Sequence, residues 1–107
     1  MRWANMHVVE IFLPLTRNDG TAQSGQLFAA VRGELVERFG GMTAFTRSPA
    51  QGLWESDDGE VEEDRILIFE VMDDAFDCNW WRDYRRLLEA RFAQEELLIR
   101  ASAGTPV

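Results

Sequence analysis

The chain of 107 residues contains no lysine: all eleven of its bases are arginine, a bias of composition rather than of mechanism. It has one cysteine, Cys78, so no disulfide can form within it, which fits a reducing cytoplasm. It has one histidine, His7, which excludes a multi-histidine metal centre and a Ser-His-Asp triad with a spare. Apolar runs are short, such as ILIF at 66–69, against the roughly 20 residues that a membrane span needs. The opening MRWANMHVVE has no apolar core and no small-residue cleavage site of a signal peptide. Linkers, repeats and low-complexity stretches are also lacking. A single domain over residues 1–107, cytoplasmic and without a membrane partner, is therefore expected.

What is present is an ordinary apolar fraction of 46% and an excess of acid, with a net charge of −8. The excess is local: Glu55 to Asp77 holds eleven acids and one base, Arg65. Such a surface repels phosphate backbones, so nucleic acid is not an expected partner.

HVVEIFLPL (7–15) alternates as a strand, with Val9, Ile11 and Leu13 on one side and Val8, Glu10 and Phe12 on the other. After a turn-rich loop, Ser24 caps a helix whose stripe is Leu27, Phe28, Val31, Leu35 and Phe39, and Gly40-Gly41 ends it. MTAFTRSPAQGLWES reads as a second strand bent at Pro49 and Gly52, on an edge or at a bulge. SDDGEVEED is a solvated turn that lacks the alternating ligands and distal Glu of an EF-hand loop. DRILIFEVM (64–72) is apolar on both faces and belongs in the centre of a sheet. Asp77 or Asn79 caps NWWRDYRRLLEARFAQ, whose stripe is Trp81, Tyr84, Leu88 and Phe92, and EELLIRAS (95–102) is a last strand.

This order, β-α-β-β-α-β, predicts an α+β, ferredoxin-like sandwich: a four-stranded antiparallel sheet with two helices on one face. The first and third strands would lie together in the centre. The face away from the helices would then carry Val8, Glu10, Phe12, Ile66, Ile68, Glu70 and Met72, with Leu98 and Arg100 beside them. So apolar a face is seldom left wet, and a second copy is its simplest cover, so a homodimer packed sheet to sheet is expected.

Glu10 and Glu70 fall on adjacent strands of that face. Paired carboxylates in a drying site repel, so one of them favours the proton, as a general acid or base requires. Alternatively Arg100 neutralises Glu10, and the carboxylates are structural. Trp54, past the bend, forms either one wall of a small pocket over an end of the sheet or part of a protected edge, and Arg100 is a second ligand-binding candidate. His7, at a strand start, reads as a solvated surface residue, and Cys78, at a helix N-terminus among Asp73, Asp74 and Asp77, as an idle thiol. The basic side of the second helix, Arg82, Arg85, Arg86 and Arg91, is explained by pairing with Asp83, Glu89 and the acidic turn. No cofactor or metal is implied.

The spread VEIFLPL, RFGGMTAF, GLW, then WW–Y–LE–F–QEELLIR resembles a group of small uncharacterised bacterial proteins of the ferredoxin-like, dimeric α+β barrel type. The resemblance covers nearly the whole chain and implies architecture and dimerisation. It carries no activity over, since such barrels include oxygenases, isomerases and binding domains. Two functions follow as expectations. One is a homodimeric protein that binds or metabolises a small molecule in a pocket on the sheet face, with Glu10, Glu70, Trp54 and Arg100 as its residues. The other is a non-catalytic interaction domain docking a basic partner through residues 55–77.

Overall fold

A computed structural model describes residues 6–47 and 65–107. Its elements are β1 (His7–Pro14), α1 (Gly25–Phe39), β2 (Thr43–Arg47), β3 (Ile66–Asp73), α2 (Cys78–Arg91) and β4 (Ile99–Ala103). The strands form one sheet in the order β2-β3-β1-β4, antiparallel at every pairing. This is the expected ferredoxin-like α+β arrangement, with β1 and β3 in the centre.

The alternation of β1 and β3 sends Val9, Ile11, Leu13, Phe69 and Val71 to the helical side, where each is essentially without solvent exposure. They meet Val31 and Leu35 of α1 and Trp81, Tyr84 and Leu88 of α2, with Phe92 closing the cluster. The expected stripes are therefore the buried ones. Leu87, which flanks the α2 stripe, is 46% exposed.

Each helix is bounded by the chemistry at its ends. Ser24 Oγ accepts the Gln26 amide at 3.3 Å, and Gly40 takes the left-handed conformation, φ 82°, that closes α1. Asp77 is the cap of α2, accepting the amides of Asn79 at 3.0 Å and Trp80 at 3.3 Å. The helix stops at Arg91, because Ala93 adopts a positive φ of 53°.

Two polar contacts lock the helical layer. The buried Asp73, at the end of β3, accepts the Trp81 indole N–H at 2.9 Å and the Ala75 amide at 3.1 Å. Glu34 on α1 accepts from Tyr84 Oη at 3.0 Å and from the Arg91 guanidinium, Nη1 at 2.6 Å and Nη2 at 3.0 Å. The Arg91 fork holds the Glu34 carboxyl below its ordinary range, despite some burial. The same fork contact raises Arg91.

Three expectations are corrected. β4 begins at Ile99 rather than Glu95. The Leu97 amide is taken by Glu89 Oε2 at 3.0 Å, and Leu97 is buried, so the chain joins the sheet only after that anchor. His7 is half-buried, not a solvated surface residue, because its parity turns it to the helical side, where its ring stacks on Phe76 with centroids 4.3 Å apart. Arg91 pairs across to α1, whereas Arg85 and Arg86 pair within α2 as expected, with Glu89 and Asp83. The stretch around Pro49, Gly52 and Trp54 and the turn SDDGEVEED lie outside the described residues.

Candidate functional site

The sheet face away from the helices is organised in cross-strand rows. In register, Thr43 of β2 opposes Glu70 of β3, Glu70 opposes Glu10 of β1, and Glu10 opposes Arg100 of β4. One polar row thus crosses all four strands. On one side of it lie Phe45, Ile68 and Phe12, and on the other Met72, Val8 and Ser102. This row is the consequence of period-two alternation in four strands whose register is fixed by the buried opposite face.

Directly opposed residues of an antiparallel pair have Cβ atoms about 4.5–5.5 Å apart, and like charges there are destabilising. The two carboxylates are not equivalent. Arg100 donates to Glu10 Oε1 through Nε at 3.1 Å and Nη2 at 2.8 Å, and its guanidinium carbon stands 5.3 Å from the Phe12 ring centroid. Glu10 therefore has a counter-ion on its own row. The Glu70 side chain, half-buried, has no hydrogen bond or ion pair among the described residues. It lines an open groove of about 320 Å³ at the end of β3, shared with Thr43 and Met72 of its own face and with Phe39, Gly40, Met42 and Val71 from the helical side. The left-handed Gly40 turns the chain from α1 into β2 here, so the helix end forms one wall of the groove.

The centre of this face is drier within one chain than an open sheet would be. Phe12 is 8% exposed and Ile68 1%, while Phe45, Met72 and Leu98 remain open to solvent. The apolar surface available to a partner is thus the rim rather than the whole face.

The sequence-predicted residues divide accordingly. Glu10, Glu70 and Arg100 are brought into one row; Trp54 lies outside the described residues. Cys78 is exposed at the start of α2, on the other side of the sheet. Thr43 and the Gly40 wall were missed as site residues, although counting alternate positions back from Phe45 places Thr43 on the same face. Of the acidic 55–77 segment, Asp73 and Asp77 are engaged in the α2 anchor and cap, and residues 55–64 lie outside the described ones. Among the described residues no group of three or more His, Cys, Asp or Glu could hold a metal ion. No described helix is long and apolar enough to cross a membrane.

The described elements define a ferredoxin-like α+β protein. No family model matches the chain. No curated protein matches it in sequence. Among solved structures, it is similar to a phage SAM lyase in complex with S-methyl-5'-thioadenosine, with a TM-score of 0.61 and 13% identity over 92% of this chain and 81% of that one. At that identity the likeness is one of fold.

Proposed function

We propose that this chain forms a homodimer and binds a small molecule carrying a positive charge on the sheet face opposite the helices. One observation carries the reading: Glu70 is half-buried and without a cation among the described residues, next to a Glu10 that already has Arg100. A bound cation would relieve the repulsion between the opposed carboxylates, and the groove beside Glu70 offers it apolar walls. In this proposal Glu70 and Glu10 remain the candidates for general acid or base work on such a ligand. Trp54 and Arg100 complete the ligand contacts in this proposal, and a second copy covers Phe45, Met72 and Leu98. The similar phage lyase, by its name, acts on SAM and holds a thioether nucleoside, which supports a ligand of this size and chemistry.

SAM is a sulfonium, and S-adenosylhomocysteine is the neutral thioether that keeps the rest of the molecule and lacks only the methyl and its charge, so that pair isolates the sulfonium. A partly desolvated contact to a charged group is worth about 1.5–3 kcal/mol, which is roughly tenfold or more in affinity. Titration calorimetry should find SAM bound at least about tenfold more tightly than the thioether, and Glu70→Gln should remove that preference without dissociating the dimer. Failure of both nucleosides to bind, or a preference that survives Glu70→Gln, overturns the ligand assignment. A monomer by light scattering at micromolar concentration overturns the dimer.

A further inference from the structure

We infer that the cleft at the end of the sheet where β1 runs into the first loop is a separate site for a small oxyanion, a phosphate or carboxylate group. The cleft, of about 490 Å³, is lined by Arg17 and Arg65 together with Thr16, Asn18 and Gln94.

The two arginines come from segments far apart in sequence that the backbone brings to one cleft. The Leu15 amide donates to the Arg65 carbonyl at 3.2 Å, which joins the loop to the entry of β3. The Arg17 amide donates to the Thr21 carbonyl at 2.7 Å, and Gly20 returns a bond to the Arg17 carbonyl at 3.0 Å, so the turn bearing Arg17 is closed on itself. Gly20 has φ 86°, the left-handed conformation this tight return requires.

Among the described residues, Arg17 and Arg65 have no carboxylate at ion-pair distance, which is true also of Arg32, Arg38 and Arg82, but only Arg17 and Arg65 line this cleft. Asp19, two positions from Arg17, is not part of the lining, and Asp64, adjacent to Arg65 in sequence, lies outside the described residues. The Asp19 Oδ1 is occupied by the Thr21 hydroxyl at 2.6 Å and the Thr21 amide at 3.0 Å. Those bonds, more than Arg17, hold the exposed Asp19 carboxyl below its ordinary range. A chain of net charge −8 repels anions in general, so an anion retained here would be held by local geometry. Two guanidinium forks in one concavity match the planar oxygens of a carboxylate or the tetrahedral oxygens of a phosphate. Four residues along β1 separate Pro14 from Glu10, or about 13 Å at 3.3 Å per residue. The site is thus distinct from the sheet-face groove, and either can fail without the other.

The test is an amide NMR titration with inorganic phosphate at constant ionic strength, with chloride as the control and acetate as the carboxylate arm. Saturable shifts confined to Arg17, Asn18, Gly20 and Arg65 are expected. Their relative size with phosphate and acetate tells which oxyanion fits. Arg17→Gln and Arg65→Gln should each weaken binding by about tenfold, the scale of one charge-assisted contact. Arg17→Lys, which keeps charge but loses the fork, should fall between wild type and Arg17→Gln. Arg86→Gln, on the far surface of α2, should leave binding unchanged. Shifts that grow linearly, spread over the surface, or persist in folded Arg17→Gln and Arg65→Gln proteins overturn the site.

Discussion

Tyr84 is the chain's single tyrosine, and no lysine titrates beside it, so alkali interrogates one phenol. Burial, then the hydrogen bond to Glu34 and the charge of that carboxylate, push its pKa above the ordinary value of 10.0. The folded value lies above the unfolded one, so the associated stability is complete below about pH 10 and is lost as the pH climbs further. In that range the unfolded chain releases the proton and the folded chain keeps it. For one proton the loss is about 1.4 kcal/mol per pH unit, a large part of a total of roughly 5–15 kcal/mol within two units. Urea unfolding followed by tryptophan fluorescence at stepped pH should show that slope, and tyrosinate absorbance should appear only together with unfolding. Tyr84→Phe should flatten the slope. At neutral pH it should cost about 1 kcal/mol, less than the roughly 1.5–3 kcal/mol of a bond to a buried charge, because the Glu34 side chain is 42% exposed. Tyrosinate forming in the folded protein at the ordinary phenol pKa, or a slope that survives Tyr84→Phe, would refute the burial argument.

Phe69, with no exposure at the centre of the sheet, should cost about 3–5 kcal/mol when replaced by Ala, read as a fall in the urea midpoint at an unchanged slope. Gly40→Ala should cost about 1–2 kcal/mol, because a Cβ opposes the left-handed conformation even though space around it is open. A double-mutant cycle of Glu10→Gln and Arg100→Gln should give a coupling of about 0.5–1 kcal/mol that shrinks with added salt. A coupling independent of salt would mean that packing against Phe12, not charge, holds Arg100.

The element order, the central position of β3 and the parity of β1 were legible because each rests on local periodicity. Val9, Ile11 and Leu13 alternate cleanly, and the α2 stripe recurs at helical spacing. Parity alone placed Glu10, Glu70 and Arg100 on one face, and the registers put them in one row. What was not legible depends on contacts between distant elements. Nothing in the sequence around Glu34 announces that Arg91, 57 positions away, reaches it. The start of β4 was misplaced because EELL has strand-like composition, while its amide at Leu97 is claimed by a side chain on α2. The position of His7 at a strand start does not disclose its half-burial, because the ring it stacks on, Phe76, lies beyond β3.

β4 contributes five mostly exposed residues, and among them is the counter-ion for the central strands. Peeling that edge away would remove Arg100 from Glu10 and leave two bare carboxylates opposed across β1 and β3. Unzipping the sheet from this side would then feed on itself, each lost pairing making the next easier. An edge strand of mostly exposed residues thereby governs whether the two central ones stay together.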